Sequence, residues 1–355
     1  MARMAPGRLG TLVVGALVTG CGGISASAPP PSAELPAASD ETEAPSSSPV
    51  LGGVTIEDDG TVTIEASVWP MILDVGDDAI WATVFEATKR TIMRIDPETH
   101  QVTTVLDDLP LEQLHGIGVN GSVWVSNWDT SQVVEYDIDT GAELNTLAVG
   151  ESPIEPVFAF GDVWTLDHHA GSVTRIDTDT STVAATIEFA RAGIGGPLTH
   201  GVAGGLLWVA APNTPTVVAI DPETNEIAHR IEVAPDCSPV VNAVADTIWI
   251  TDCDQNPVLD PVTLEPVGYR GELPPALNPT GEALVVDNRV WRANHDLETD
   301  VTSGLYAVDL ESLDVVDEFR LEDMPAAAVT YGFDSIWFGS GGTVFRVPAT
   351  ALADR

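Results

Sequence analysis

The chain has 355 residues, 44% of them apolar, with 31 glycines and 26 prolines. That is enough apolar material for a sizeable core, and too much Gly and Pro for a protein built of helices. Against 54 Asp and Glu stand only 14 Lys and Arg, a net charge of −40, and Lys89 is the only lysine. Such a field repels phosphate backbones and anionic lipid surfaces, so nucleic acid is excluded as a partner, while solubility and association with cations are favoured.

Taken in chain order, Arg3 and Arg8 flank the start of a short apolar run from Leu9 to Val18, followed by Val18-Thr19-Gly20-Cys21. This pattern reads as a secretion signal over residues 1–20, too short to span a bilayer. The tetrapeptide resembles the bacterial lipobox, in which the cysteine becomes the lipidated first residue; the alternative is an ordinary cleavage site beside a stray cysteine. Lipidation of Cys21 would make the membrane a partner and place the protein at the outer face of the cell membrane or in the periplasm. Residues 21–52 are rich in Ser, Ala, Pro and Glu with few large apolar side chains, and read as a disordered tether.

From residue 53 to 350 one motif recurs. Trp81, Trp124, Trp164, Trp208, Trp249, Trp291 and Trp337 follow one another at intervals of 40 to 46 residues. Each lies in a strand that follows an alternating apolar strand and a Gly, Asp or Asn turn, as in Ile117-Gly-Val-Asn-Gly-Ser-Val-Trp124. A third strand then ends in Asp (Asp96, Asp137, Asp177, Asp221, Asp260, Asp309), with a tight turn clearest in Ile95-Asp-Pro-Glu-Thr99 and Ile220-Asp-Pro-Glu-Thr224, before a fourth. Four short strands per period predict an all-β, seven-bladed β-propeller of four-stranded antiparallel blades, with the tryptophans packed between blades.

Blade seven offers only three strands, near Ala327–Gly332, Ser335–Gly339 and Thr343–Val347, before a short tail. The alternating segment Thr61–Val68 is predicted to supply the missing one, closing the ring with an N-terminal strand and removing an exposed edge. Cys237 and Cys253 bracket the strands Val240–Ala245 and Thr247–Thr251, so both fall at one end of a hairpin. In an oxidising exported compartment that predicts a disulfide; a metal site made of two lone cysteines is the weaker alternative.

In a propeller the turn after the second strand and the approach to the first open on one face of the central channel. By this rule His100 and His229 fall by the outer hairpins. His115 and His200 lie on approaches to first strands, and His168, His169 and His295 follow second strands. The same turns carry Asn127, Trp128 and Asp129, then Asp167, Asp252 and Asp254, and Asn294 and Asp296. Imidazoles and carboxylates converging on a concave site can hold a divalent cation such as calcium or magnesium, or act as acid and base. Equally, His, Asn and Asp cap turns without further purpose. Blade six has a long acidic insert, Asn294-His-Asp-Leu-Glu-Thr-Asp300, which reads as a lid, a calcium loop or a solvated loop, though without the EF-hand pattern. Trp128 and Phe85 are candidates for apolar contact with a ligand.

No phosphate-binding Gly-x-x-x-x-Gly-Lys, His-Glu-x-x-His, Gly-x-Ser-x-Gly or Cys-x-x-Cys motif is present, which argues against nucleotide hydrolysis, zincin proteolysis, serine esterase chemistry and thiol redox. The repeated Val-Trp-Val and Ile-Asp-Pro-Glu-Thr pattern over residues 61–348 resembles the YVTN-type and virginiamycin B lyase-like propellers. The lyase resemblance implies magnesium-assisted opening of a cyclic peptide lactone, with a histidine base and acidic or histidine ligands in the late blades. The stretch 324–347 contains no histidine, so no catalytic residue is carried across. The expectation is a binding module for a small molecule, metal ion or protein on the channel face, with a metal-dependent lyase or hydrolase using His115, His200 and His295 as the alternative.

Overall fold

The computed structural model describes residues 54–353, apart from 59, 66–69, 191–198, 212–214, 235–238, 245, 252–255, 271–283, 287, 295–303, 310–311, 313–314, 321–327 and 341. All of them belong to one compact unit. The chain enters with β1 (Val54–Ile56) and β2 (Val62–Glu65). Blade one is β3 (Pro70–Val75), β4 (Ile80–Phe85), β5 (Arg90–Ile95) and β6 (Val102–Leu109); blade two is β7 (Gln113–Val119), β8 (Ser122–Asn127), β9 (Gln132–Asp137) and β10 (Glu143–Ala148). Blade three is β11 (Pro153–Ala159), β12 (Asp162–Asp167), β13 (Ser172–Asp177) and β14 (Thr182–Glu188); blade four is β15 (Thr199–Ala203), β16 (Leu206–Ala211), β17 (Thr216–Asp221) and β18 (Glu226–Glu232). Blade five is β19 (Val240–Val244), β20 (Thr247–Thr251), β21 (Asn256–Leu259) and β22 (Pro266–Arg270); blade six is β23 (Leu284–Val286), β24 (Arg289–Asn294), β25 (Gly304–Asp309) and β26 (Val315–Arg320). Blade seven begins with β27 (Ala328–Gly332), β28 (Ser335–Ser340) and β29 (Thr343–Pro348), after which comes the short helix α1 (Ala349–Ala353).

Every blade is an antiparallel meander, and the seventh is completed from the other end of the chain: β2 pairs with β29, Val62 opposite Arg346 and Glu65 opposite Thr343. The fold is the expected seven-bladed propeller with the expected N-terminal closure. It differs in one respect, because β1 adds a fifth strand to that blade. The hairpin between β1 and β2 turns at Gly60, whose φ of +85° suits a residue without a side chain, and Glu57 N–H donates to Thr61 O at 2.8 Å. The tail also differs from expectation. It forms α1, whose Ala351 and Leu352 are buried with Trp291, Ile336 and Phe338 between blades six and seven.

The seven motif tryptophans are all buried, none more than 2% exposed. In blades three, four and seven the indole N–H donates to the carbonyl five residues back, at the end of the first strand: Trp164 to Ala159, Trp208 to Ala203, Trp337 to Gly332. The hairpin is thereby locked while the ring faces the next blade. Trp81 shows the fit: a Cβ placed on Gly76 would lie 2.4 Å from its Nε1, and one on Gly118 of blade two 1.9 Å from its Cζ2. The aspartates that close the third strands accept backbone N–H bonds from their turns, as Asp96 does from Glu98 and Thr99 and Asp260 from Val262 and Thr263. Their periodic recurrence reports turn chemistry.

A second repeat joins blades. Arg175 lies opposite Trp164 on the neighbouring strand, its guanidinium 5.0 Å from the ring centroid, and reaches Pro222 O and Asn225 Oδ1 in the outer turn of blade four. Arg346 lies opposite Trp337, 5.5 Å from that ring, and reaches the equivalent turn of blade one at His100.

Candidate functional site

At one mouth of blades two and three, three rings from the turns after second strands come together. The ring centroids of Trp128, His168 and His169 are 5.0–5.2 Å apart, tilted or edge-on to one another. All three side chains are partly exposed. The Trp128 N–H is held by Glu112 O at 3.0 Å, and the N–H groups of His168 and His169 by Ser152 O and Glu151 O at 3.0 and 3.1 Å. Each ring is thus set by the backbone approaching a first strand, which is the convergence expected of this face. His169 Nδ1 lies 2.9 Å from Ser152 Oγ, which fixes its ring plane. Ser152 itself has φ +58°.

Next to His168 in the chain is Asp167, with no exposed surface. Its Oδ1 accepts from Thr165 Oγ1 at 2.9 Å, and its Oδ2 from Ser172 Oγ at 2.9 Å and Thr174 Oγ1 at 2.7 Å. Burial pushes its pKa up to about 6 although the Thr174, Ser172 and Thr165 hydroxyls and the Gly150 N–H favour the carboxylate. A Cβ on Gly150 would come within 2.3 Å of Asp167 Oδ2, so the loop that carries Glu151 and Ser152 is seated directly on this carboxylate. The position three residues after the motif tryptophan holds buried Val84 in blade one and Ala211 in blade four. Blades two and six carry Asn127 and Asn294 there, and blade three a fully buried acid. Burial also lowers the pKa of His168, with His169 adding to the effect, so that this imidazole stays neutral at pH 7.

The other candidates part company with this cluster. Asn127 Oδ1 accepts from Thr130 N–H at 3.1 Å and caps its turn, and Asp129 is exposed beside Trp128. His115 and His200 stand within the inner strands of blades two and four rather than on the loops before them, both partly buried. That correction follows from strands that begin two residues and one residue earlier than these histidines. Phe85 is covered by the guanidinium of Arg90, 4.3 Å above its ring. Asn294 ends β24 opposite Gly304. His295, Asp296, Asp252, Asp254, Cys21, Cys237 and Cys253 lie outside the described residues, as do the signal and the tether. Among the described residues, no three His, Cys, Asp or Glu side chains are grouped to hold a metal ion. Nor is any helix among them long and apolar enough to cross a membrane.

Sequence reasoning placed Trp128, His168 and His169 on one face, but missed Ser152 and the burial of Asp167. The signal was present. Thr165 and Asp167, and Ser172 and Thr174, are i, i+2 pairs on adjacent strands, which puts four polar side chains together on one face of blade three.

No family model matches the chain, and no curated protein is similar to it in sequence. Solved structures are similar in fold. Virginiamycin B lyase from Staphylococcus aureus superposes with a TM-score of 0.56 at 15% identity, over 84% of this chain and 94% of that one. A catalytically inactive variant of that lyase with quinupristin gives 0.57 at 15% identity, over 84% and 94%. The WD40 domain of Toxoplasma gondii coronin gives 0.56 at 11% identity, over 83% and 82%. The likeness is one of architecture. It bears out the resemblance to virginiamycin B lyase-like propellers for the fold, and neighbours as different as a lyase and a WD40 domain leave activity to be argued from the site.

Proposed function

We propose that this propeller is a binding module, exported and lipid-anchored through Cys21, that holds a small molecule or protein on the channel face of blades two and three. The observation that carries this reading is the partly exposed Trp128–His168–His169 cluster, whose residues are held by backbone hydrogen bonds in two blades and follow directly on a fully buried carboxylate, Asp167. Solvent-facing aromatic side chains that stay ordered without filling a core are suited to ligand contact, and a buried acid with a raised pKa beside them is a feature of functional sites.

The test is a thermal-shift and calorimetric screen of the mature protein against small molecules, peptides and calcium, magnesium or zinc, repeated with Trp128→Ala. Ligands that stabilise the native chain and not the variant support the reading; ligands that stabilise both equally place binding elsewhere and defeat it. For the anchor, Cys21→Ser should release the protein from membranes and abolish fatty-acid labelling.

The alternative is a metal-dependent lyase or hydrolase built on His115, His200 and His295. It draws on the lyase structures of similar fold, and turnover of a cyclic peptide lactone that falls in His200→Ala would favour it over the binding module.

A further inference from the structure

We infer that the ligand of this channel-face site is an organic cation bearing a substituted ammonium group, an inference that rests on the binding reading above. The first observation is a gap in the sequence. Between Arg94 and Arg175 there is no lysine and no arginine, while the same stretch holds fourteen Asp and Glu. This stretch forms the last strand of blade one, all of blade two and the first strands of blade three; Asp96, Asp107 and Asp162 pair with Arg94, Lys89 and Arg175 at its ends, and the ring cluster sits in a sector with a large excess of negative charge. The only basic side chains in it are His100, His115, His168 and His169. Burial holds His100 and His168 toward their neutral forms.

The acids stand around the rings themselves. Asp129 follows Trp128 and is exposed, and Glu151, whose carbonyl receives the His169 and Ala170 N–H groups, is also exposed. Glu112, exposed as well, holds the Trp128 backbone. Asp167, next to His168 in the chain, is fully buried, and Arg175 is already engaged with Asp162 at 2.6 Å. An anionic or phosphorylated ligand would meet no countercharge here. A cation meets several, and at long range it is drawn by the whole molecule.

The second observation concerns the aromatic faces. Elsewhere the protein covers its rings with its own guanidinium groups: Arg90 over Phe85, Arg175 over Trp164, Arg346 over Trp337. Among the described residues no Lys or Arg stands over Trp128. The indole face is the strongest cation–π partner a protein has, and it favours a weakly hydrated ammonium over a compact metal ion. His168, kept neutral, adds a second π face without adding a positive charge.

The experiment uses the full mature chain and three probes: choline, its neutral carbon isostere in which carbon replaces the ammonium nitrogen, and calcium. Binding is read by calorimetry and by Trp fluorescence. Choline is expected to bind about tenfold or more tightly than the isostere, to weaken as salt is raised, and to be lost in Trp128→Ala while Trp128→Phe keeps part of it. Unchanged melting temperatures in both variants separate loss of the site from loss of the fold. Equal binding of choline and the isostere, or displacement of choline by calcium at equal concentration, overturns the cation–π assignment and leaves a binding module standing. If none of the three binds while the broader screen finds a Trp128-dependent ligand, the organic-cation inference falls alone; if that screen is also empty, both readings fall.

Discussion

Arg346 Nη1 donates to His100 Nε2 at 3.1 Å, joining the last full strand of the chain to the outer turn of the first blade. Because guanidinium only donates, His100 must present an unprotonated Nε2. The equivalent residue three blades on is Asn225, which accepts from Arg175 with its amide oxygen and has the same left-handed backbone, φ +58° against +60°. The seam therefore uses a titratable residue where an interior junction uses a neutral one.

Acidification should weaken that seam. Burial, and then the Arg346 charge, hold the His100 pKa below the ordinary imidazole value, with Asp96 opposing. The folded value lies below the unfolded one, so the stability His100 lends is complete above the ordinary imidazole range and is lost as pH falls through it. His100→Asn, copying Asn225, should flatten the decline in melting temperature between about pH 8 and pH 5. Arg346→Ala, which also removes the bond to Ser335 Oγ and the contact with Trp337, should cost about 1–3 kcal/mol in denaturant unfolding.

Asp167 should act with the opposite sign. Its folded pKa of about 6 lies above the ordinary carboxylate value of 3.8. Its favourable contribution is thus present below that ordinary value and lost as pH rises through about 6, leaving a penalty of about 3 kcal/mol for the buried charge at neutral pH. Asp167→Asn should gain stability relative to the native chain between about pH 4 and pH 8, measured by urea unfolding at each. A constant difference across that range would show that the carboxylate is not buried as charge.

Gly118→Ala tests the interlock of blades one and two. The added methyl would fall on the Trp81 ring, and the overpacking should lower stability by roughly 1–3 kcal/mol. A change below about 0.5 kcal/mol in the unfolding free energy would mean that the ring is not confined.

Removing residues 54–65 deletes both strands that extend blade seven beyond β29. Calorimetry should then show no cooperative transition, since Val62 and Ile64, both buried with Trp337 and Val344, leave the core cluster shared by blades seven and one. A truncated chain that melted like the full one would contradict the closure.

Most of the architecture was legible because it is written in periods: a buried Trp at every blade and an Asp at every outer turn. The fifth strand was not, since Val54-Thr55-Ile56 is only three residues long and exposed, beside a low-complexity stretch. The two histidines within β7 and β15 were misplaced by a residue or two, enough to move them from loop to strand. The site was half legible. Turn position put Trp128, His168 and His169 on one face, but the distance between blades, the seat of Gly150 on Asp167 and the Ser152–His169 bond are products of packing across strands far apart in sequence.

The pairing of Val62 with Arg346 also orders events in time. During synthesis the N-terminal partner is free long before the strand it needs has emerged, so blade seven cannot form until nearly the whole propeller has been made. Assembly of the ring is then governed by its longest-range contact, which makes closure slow beside the formation of any single hairpin. Until that moment the side of β2 that meets β29 is an open edge, and the acidic charge of the chain keeps such intermediates from joining one another.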